Sequence, residues 1–382
     1  MTSTKPLGGV NVTFLGTASA APSSTRNHSS LALRLDGDVW LFDCGEATQH
    51  RLQKSQVKMG KIQKIFITHT HGDHMFGVVP LLCSLLNGAG GTTEGADDPR
   101  TRVDKSLPPI ELYGPQGLRA YVRGGLTYSH SLIGSPYVVH ELRFPSDPDV
   151  ESYLPLHPAE LEGRNITQTA DGIWHNIFAD DRVSVSAAPI LHSCPCVGYV
   201  VQEAPVPGKM DPKLYVPHIK RTGAPMSLLA SLQRGESVTL PDGTTLAGPA
   251  RRPGRKIAIL GDTYDPSPLA PIAADVDLLV HEATNAHLPG VDPATKAEDT
   301  YETVEARAKS RGHSTPQMAG AFAKRIGAKR LVLNHFSSRY PGDESEETSR
   351  IMGAIGRLAE GEYGKPVTCA RDLMSLDVGL AE

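Results

Sequence analysis

The strongest chemical signal in the sequence is a histidine-rich segment that follows a short apolar run. Four potential metal ligands, His69, His71, Asp73 and His74, lie within six residues, directly after Ile65–Ile67. In an extended segment, residues two apart project to the same side, so the first two can hold one metal ion while the last two, in the following turn, face a second. A single histidine is more often a hydrogen-bonded structural residue. Four strong ligand types at one chain reversal instead indicate a metal site.

Two metal ions need further ligands, and these are expected at the ends of other buried strands. Three candidates each follow a strand-like apolar run: His192 after Val183–Ile190, Asp262 after Ala258–Leu260, and His335 after Leu331–Leu333. Each has an ordinary structural interpretation when taken alone, but together with the histidine-rich segment they favour one site. A carboxylate at position 262 can bridge two cations, which an imidazole cannot do. The pattern therefore predicts a hydrolase site with two metal ions.

The elements that must position these ligands are predicted from the sequence. The first part of the chain contains mainly strands, and strands and helices alternate in the later part. Strands are predicted over Val10–Leu15, Leu31–Leu35, Val39–Phe42, Lys61–Thr68, Ile110–Tyr113, Arg182–Ile190, Val197–Gln202, Lys256–Leu260, Val276–His281 and, as the last buried strand, Arg330–Leu333. Helices are predicted over Met75–Leu86, Gly117–Arg123, Thr300–Ser310 and Ser314–Ile326, the last with Ser314 as N-cap. This order predicts an α/β fold in which two sheets pack face to face with helices outside, an αββα sandwich.

Three segments interrupt this pattern. Residues 87–108 and 144–181 are irregular and are predicted to be insertions. Residues 205–256 are punctuated by Pro and Gly and contain nine Lys/Arg against three acids, a net charge of +6 that leaves −10 for the rest of the chain. Such a basic segment can meet the phosphates of a nucleic acid, or it can be a solvated loop, and composition alone leaves the two about even.

Length and composition bound the class of protein. The 382 residues suit two or three ordinary domains or one large domain with insertions, and 39% hydrophobic residues suffice for a real core. No apolar run approaches the roughly 18 residues of a membrane span, and Met1–Val10 lacks the apolar region of a secretory signal. Five scattered cysteines favour a reducing compartment. We therefore expect an intracellular protein, cytoplasmic or nuclear, that uses no membrane. The net charge of −4 argues against nucleic-acid binding by bulk charge, so a local patch would be needed.

The metal-ligand pattern resembles the metallo-β-lactamase superfamily, and further motifs narrow the resemblance to ribonuclease Z, the endonuclease that removes 3′ trailers from precursor tRNA. The motifs occur in order between Phe14 and Tyr340: Phe14–Thr17, Pro22–Asn27, Leu41–Gln49, His281–Thr284, Gly312–Thr315 and Asn334–Tyr340. Asp262, where other members carry Cys, is similar to the phosphodiesterase branch. The resemblance implies one metallo-β-lactamase-like domain over 1–382 of the short form, which is typically a homodimer. It also implies that the basic segment 205–256 is a protruding arm that binds tRNA.

Carried over residue by residue, the resemblance implies the following roles. His69, His71, His192 and Asp262 would hold one zinc ion, and Asp73, His74, His335 and the shared Asp262 the other, although Mn²⁺ or another divalent cation could serve. Asp73 would also be the general base, His313 the proton donor, and Glu282 would orient His313. The tRNA would be bound by Arg26 and Asn27 and, on the arm, by Lys213, Lys220, Arg221 and Arg234. The products would be a tRNA 3′-hydroxyl and a trailer 5′-phosphate.

This chain departs from the family pattern at a few positions. Ser24 stands where a lysine is expected, which bears on recognition of the CCA end, and Gly223–Pro225 stands where a Gly-Pro pair is usual. Cys194 and Cys196, beside His192, are unusual. A Cys-x-Cys pair could bind metal, but the seven expected ligands are already present, so both are predicted to be packing residues. Two other functions stay open at this point. One is a hydrolase for a small thioester, lactone or phosphodiester, and the other is an RNA-binding scaffold without activity.

Overall fold

The computed structural model describes residues 7–86, 103–131, 133–149 and 154–380. Its first sheet has the order β20-β1-β3-β4-β5-β6-β7-β8, with β9 also paired to β7. The strands are β1 (Val10–Gly16), β3 (Ser30–Leu35), β4 (Asp38–Phe42), β5 (Ile62–Phe66), β6 (Ile110–Pro115), β7 (Tyr137–Arg143), β8 (Glu160–Leu161), β9 (Asn165–Thr167) and β20 (Ser375–Asp377). From β4 to β7 neighbouring strands are parallel, so their carboxyl ends lie at one edge of the sheet.

The second sheet has the order β10-β11-β12-β15-β16-β17-β19. Its strands are β10 (Trp174–Ala179), β11 (Val183–Ile190), β12 (Cys196–Glu203), β15 (Lys256–Leu260), β16 (Leu278–Glu282), β17 (Leu331–Asn334) and β19 (Val367–Cys369). Strand β12 is antiparallel to both β11 and β15, and β15, β16 and β17 are parallel. Strands β11, β15, β16 and β17 therefore run in the same direction. The short strands β2 (Ala18–Ser19) and β18 (Phe336–Ser337) pair with each other.

The described residues form ten α-helices. They are α1 (Thr48–Lys54), α2 (Gly72–Met75), α3 (Val78–Leu86), α4 (Leu118–Tyr128), α5 (Pro212–Arg221), α6 (Leu228–Gln233), α7 (Ala270–Ala273), α8 (Tyr301–Ser310), α9 (Pro316–Arg325) and α10 (Glu346–Tyr363). Helices α1, α3 and α4 cover the outer face of the first sheet and α9 and α10 that of the second, whereas α5 and α6 belong to the basic segment. One apolar cluster fills the space between the sheets, where Phe42, Phe66 and Tyr199 make ring contacts. A second lies under α9 and α10, and a third under α1, α3 and α4. The predicted αββα sandwich is thus confirmed.

The basic segment forms a unit with its own small core. Helices α5 and α6 and the hairpin of β13 (Val238–Thr239) and β14 (Thr245–Leu246) surround Ile219, Ala224, Leu232 and Leu240, which are buried together. Five of the nine basic residues, Lys209, Arg251, Arg252, Arg255 and Lys256, lie before α5 or after β14, outside these helices and this hairpin. Arg255 is buried in an ion pair with Glu203, and Lys256 begins β15. The net positive charge of the arm is therefore smaller than the charge of +6 counted over residues 205–256.

Several predicted elements differ in the structure. The helix predicted over Met75–Leu86 begins only at Val78, as α3, since Met75 is the last residue of α2. The N-cap of α9 is Thr315 rather than Ser314. The strand predicted over Arg330–Leu333 is β17, which is fully buried, and the later strands β19 and β20, which complete the two sheets, are half-buried or partly exposed. The stretch 144–181 is not irregular throughout, since β8, β9 and β10 add to the sheets. Of the insertion predicted at 87–108, residues 87–102 lie outside the described part. Within the described ranges, none of the helices combines the length and hydropathy that a bilayer span requires.

Candidate metal centre

The side chains predicted as metal ligands come together at the carboxyl ends of the strands in both sheets. In the first sheet, β5 is followed by the loop that carries His69 and His71 and by α2, which carries Asp73 and His74. In the second sheet the ligands follow three strands that run in the same direction: His192 after β11, Asp262 after β15 and His335 after β17. Because strands that run in the same direction end at the same edge of each sheet, all of the predicted ligands lie close together.

One group of ligands consists of Asp73, His74, Asp262 and His335, whose ligand atoms lie within 4.8 Å of one another. The Nε2 atoms of His74 and His335 are 3.0 Å apart. The Oδ2 atom of Asp73 lies 3.4 Å from Nε2 of His335 and 3.5 Å from Nε2 of His74. Imidazole nitrogens and carboxylate oxygens thus converge on one small space.

A second group contains His69, His71 and His192. Nδ1 of His71 lies 3.1 Å from Nε2 of His69 and 3.2 Å from Nε2 of His192. Asp262 lies between the two groups. Its Oδ2 atom is 3.8 Å from Nε2 of His69 and its Oδ1 atom is 3.3 Å from Nε2 of His74.

These residues fit divalent cations. Oδ1 of Asp262 is buried and makes no hydrogen bond to a described residue, although ring nitrogens of His74 and His335 each lie 3.3 Å away. Burying an unpaired carboxylate oxygen is costly, whereas a cation would satisfy it. The ring nitrogens that face each other are also the lone-pair donors that a metal requires. Imidazole and carboxylate ligands suit zinc and several other divalent transition metals.

Neighbouring polar groups fix the orientation of the histidines. Nδ1 of His74 donates to Oδ2 of Asp43 at 2.6 Å, and Oδ1 of Asp43 accepts from the backbone N–H of Thr68 at 2.7 Å. Nδ1 of His192 donates to the carbonyl of Gly312 at 2.7 Å. Gly312 has φ 83, and a Cβ there would lie 2.5 Å from Nδ1 of His192, so only glycine fits. These hydrogen bonds leave Nε2 of His74 and His192 free to bind metal.

The electrostatics of the cluster favour the metal-binding forms of His69 and Asp73. Burial and the neighbouring His74 hold the pKa of His69 well below its usual range, which keeps this imidazole neutral. Burial opposes ionisation of Asp73, but hydrogen bonds from His335 and His74 outweigh it and hold the pKa of Asp73 well below its usual range. A neutral imidazole and an ionised carboxylate are the forms that bind a cation. Burial opposes protonation of His74, but the carboxylates of Asp262 and Asp43 outweigh it and raise the pKa of His74 well above its usual range, so a cation must displace a proton there.

The two other predicted catalytic residues lie beside the ligands. Nδ1 of His313 donates to Oε1 of Glu282 at 3.1 Å and lies 3.7 Å from Oδ2 of Asp262. Burial opposes protonation of His313, but the carboxylates of Glu282 and Asp262 outweigh it and raise its pKa to about 9. Glu282 is buried and also accepts from the backbone N–H of Thr263 at 2.7 Å. At neutral pH His313 is therefore a protonated group held at the edge of the site.

Sequence reasoning did not single out Asp43, Thr68 or Thr284, which orient the ligands. Asp43 follows β4 and lies next to Thr68 because β4 and β5 are parallel neighbours. Oγ1 of Thr284 donates to Glu282 at 2.6 Å and lies 3.2 Å from Nδ1 of His335. Two of these residues lie within sequence motifs of the family resemblance, Asp43 in Leu41–Gln49 and Thr284 in His281–Thr284, and could have been predicted from them.

Comparison with known proteins decides the family. The chain is 41% identical over 389 aligned residues to the zinc phosphodiesterase ELAC protein 1 of Bos taurus, and the match covers 97% of this chain and 98% of that protein. The chain belongs to the ribonuclease Z family. It is a metal-dependent phosphodiesterase of the endoribonuclease type.

Solved structures agree with membership of the ribonuclease Z family. The crystal structure of human tRNase Z, short form, has a TM-score of 0.61 and 33% identity, and covers 97% of this chain and 100% of that chain. The metallo-β-lactamase fold protein YhfI from Bacillus subtilis has a TM-score of 0.53 with 15% identity, covering 97% of this chain and 99% of that chain, which shows the fold alone. A family model described as Anti-Pycsar protein Apyc1 also matches residues 10–85, the part that contains the first ligands.

The substrate-binding residues predicted from the ribonuclease Z resemblance occupy different kinds of position. Arg26 is 1% exposed, and its guanidinium donates to backbone carbonyls of Tyr340, Pro341 and Ala370 and to Oγ1 of Thr17. Its donors are used inside the protein, so the predicted contact of Arg26 with substrate is corrected to a structural role. Asn27 is half-buried, and its side-chain amide donates to the carbonyl of Glu46 at 2.9 Å.

The four predicted residues on the arm are all exposed. Arg221 pairs with Asp242 at 2.7 Å and Arg234 pairs with Glu236 at 2.7 Å. Lys213 and Lys220 form no ion pair with any residue that the structure describes. Exposed ion pairs of this kind contribute little to stability, so all four cations are available to a polyanion.

Proposed function

We propose that the chain removes the 3′ trailer from precursor tRNA by hydrolysing one phosphodiester bond at a centre of two zinc ions. The observation that carries this proposal is the position of Asp262, whose two oxygens face the two groups of ligands. A single carboxylate between two clusters of imidazoles is what a two-metal hydrolase needs. Family membership supplies the substrate class, since the solved short-form relative is named tRNase Z.

The residues divide into two metal sites. His69, His71, His192 and Asp262 would hold one ion, and Asp73, His74, His335 and Asp262 the other. When bound, the ions would lower the pKa of a water molecule and neutralise charge on the phosphoryl oxygens. Zinc is the metal in the name of the Bos taurus relative. Mn²⁺ or another divalent cation fits the same nitrogen and oxygen ligands.

Asp73 is the proposed general base. Its carboxylate lies at the edge of the ligand cluster, where Oδ2 also accepts a hydrogen bond from the backbone N–H of Ala20 at 2.8 Å. An ionised carboxylate held in this way can orient the attacking water and take its proton. Attack on phosphorus then proceeds in line with the departing 3′ oxygen of the tRNA.

The departing oxygen needs a proton, and His313 is the proposed donor. Its Nδ1–H is bonded to Glu282, which leaves Nε2 for the substrate. With a pKa raised to about 9, the imidazolium is well populated at neutral pH. Proton donation by a positioned side chain typically contributes about 10²–10⁴-fold to the rate. The products are a tRNA 3′-hydroxyl and a trailer 5′-phosphate.

The arm is the proposed tRNA-binding element. Lys213, Lys220, Arg221 and Arg234 are exposed on a unit that folds around its own core. Phosphate contacts position a nucleic acid without reading its sequence, which suits an enzyme that must accept many tRNAs. A small-molecule hydrolase has no use for such a unit.

The homodimer expected from the family resemblance is part of this proposal. Sedimentation should give a particle of about twice the chain mass of 40.9 kDa. A monomer that cleaves precursor tRNA at the full rate would contradict the dimer and leave the reaction standing.

The proposed reaction is tested by incubating the protein with precursor tRNA that carries a 3′ trailer, with and without a metal chelator. We expect release of the trailer, loss of activity on chelation and recovery on adding zinc or manganese. A mature tRNA without trailer is the control and should stay intact. Turnover of a small phosphodiester with no cleavage of precursor tRNA would contradict the proposal.

A further inference from the structure

We propose that Cys194 is an additional ligand of the metal ion held by His69, His71 and His192. This inference rests on the proposed metal centre but not on the choice of RNA substrate. The ligand set implied by the family resemblance does not include a thiol. The sequence expectation that this cysteine is a packing residue is also tested by the proposal.

The first support is the geometry of the loop between β11 and β12. These strands are antiparallel and Ile190 is paired with Cys196, so residues 191–195 form a tight reversal. Burial alternates along it: Leu191, Ser193 and Pro195 are exposed, whereas His192 and Cys194 are half-buried. The imidazole of His192 and the thiol two residues later therefore face inward together.

The second support is the distance between ligand atoms. The sulfur of Cys194 and one ring nitrogen from each of His69, His71 and His192 all lie within 4.8 Å of one another. Zinc binds sulfur at about 2.3 Å and nitrogen at about 2.0–2.1 Å, so two of its ligands lie at most about 4.4 Å apart. The four atoms thus need only a small adjustment to surround one ion.

A third support is the position of Asp262, which is 2% exposed. Its Oδ2 atom lies 3.8 Å from Nε2 of His69 and 4.0 Å from Nε2 of His192, whereas Oδ1, which has no hydrogen bond to a described residue, faces His74 and His335. The carboxylate faces the same imidazoles as Cys194 does. A cation at their centre would satisfy both groups.

Cys196 is a contrast within the same loop. It is 1% exposed and belongs to the apolar cluster under α9 and α10. Its sulfur lies so close to Gly261 that a Cβ there would be 2.9 Å from it. Cys194 belongs to none of the apolar clusters described above. The packing prediction therefore holds for Cys196, whereas Cys194 has an environment of metal-binding groups.

A thiol ligand would change the preference of this site among metals. Thiolates favour soft or borderline ions such as zinc, whereas Mn²⁺ prefers carboxylate and carbonyl oxygens. The thiol must lose its proton when the ion binds, so binding by this route releases a proton. Cys194 would thus select zinc over manganese at one of the two positions.

The direct test is the absorption spectrum of the protein loaded with cobalt(II). A thiolate bound to cobalt gives an intense charge-transfer band in the near ultraviolet, and we expect this band in the wild type. It should be absent in Cys194→Ser and present in Cys83→Ser, whose thiol lies on α3 away from the site. Visible d–d bands report cobalt bound in any of the three proteins.

The outcomes separate this inference from the proposed function. If d–d bands appear without the charge-transfer band in the wild type, or the band survives in Cys194→Ser, the Cys194 ligand is wrong and the metal centre stands. If cobalt gives no d–d bands, the metal centre itself fails. X-ray absorption of the zinc-loaded wild type, which needs no variant to fold, should show a sulfur neighbour near ~2.3 Å. A shell of nitrogen and oxygen alone would overturn the inference.

The affinity for zinc gives a second readout. Losing even an outer hydrogen-bonding partner of a ligand costs roughly 10–100-fold in metal affinity, so Cys194→Ser should weaken zinc by at least about tenfold at one site. Manganese binding should change much less. An equal loss for both metals would mean that Cys194 only shapes the loop.

Discussion

Glu282, which is buried, lies with Oε1 of its carboxylate 3.1 Å from Nδ1 of the half-buried His313 ring. Glu282 ends β16 in the middle of the second sheet, whereas His313 follows Gly312 after α8. A rigid strand therefore holds a group on a loop at the edge of the metal centre. This pair sets both the orientation and the charge of the proposed proton donor.

Replacing Glu282 should move the pH dependence of cleavage. The donor must be protonated, so activity falls as pH rises through the pKa of His313, which Glu282 raises. Glu282→Gln keeps the size of the side chain but removes the charge, so the alkaline fall of kcat should shift to lower pH. Glu302→Gln, an exposed change on α8, is the control. An unchanged pH–rate profile in Glu282→Gln at full metal content would argue against His313 as the donor.

Asp43→Asn should weaken metal binding without unfolding the protein. The hydrogen bond of 2.6 Å to Nδ1 of His74 loses its charge, and outer partners of this kind affect metal affinity by roughly 10–100-fold. Asparagine tolerates the φ of 59° at this position. Titration calorimetry with zinc measures the effect, and Asp38→Asn at the start of β4 is the matched control. Wild-type affinity in Asp43→Asn would show that His74 does not depend on this partner.

On the arm, Lys213→Ala combined with Lys220→Ala should weaken binding of precursor tRNA and leave hydrolysis of a small phosphodiester unchanged. Each lost phosphate contact should reduce the slope of log K against log salt by about 0.7–0.9. Lys105→Ala, an exposed lysine outside the arm, should change neither quantity. Equal salt slopes for the double variant and the wild type would place the RNA elsewhere.

Arg26→Ala should act on stability rather than on RNA affinity. The change leaves several buried acceptors unpaired, among them the carbonyl of Tyr340 at 2.9 Å, and opens a cavity beside Phe336. The free energy of unfolding should fall by about 3–5 kcal/mol. Denaturant unfolding measures this free energy. Asn27→Ala, at the next position, is the control and should lower it by less. A stable Arg26→Ala protein with lost tRNA binding would restore the original sequence-based role.

The metal ligands could be predicted from sequence because each follows a strand, and strands that run in the same direction end at the same edge. His192, Asp262 and His335 are examples. The structural role of the Arg26 side chain could not be predicted in this way. Its guanidinium turns inward to Tyr340 and Ala370, which are 314 and 344 residues away, and nothing local to Arg26 signals those acceptors.

The edges of the sheets were missed for a related reason. Strands β8, β9, β19 and β20 have two or three residues each, too short to show an alternating pattern. They exist because longer neighbours offer unpaired backbone groups, as β1 does to β20. The sequence is also insufficient for Cys194 and Cys196. The two cysteines are only two residues apart, and this spacing does not predict which of the two thiols faces the histidines.

The proposed trailer cleavage at a two-metal centre is tested most directly with a 5′-labelled precursor tRNA, incubated with the wild type and with Asp73→Asn. We expect one cut just 3′ of the discriminator base, leaving a 3′-hydroxyl on the tRNA and a 5′-phosphate on the trailer. In Asp73→Asn the rate should fall at least about 100-fold, because the general base is lost. A wild-type rate in Asp73→Asn would rule out Asp73 as the general base, and products with the phosphate on the tRNA would rule out the proposed hydrolysis.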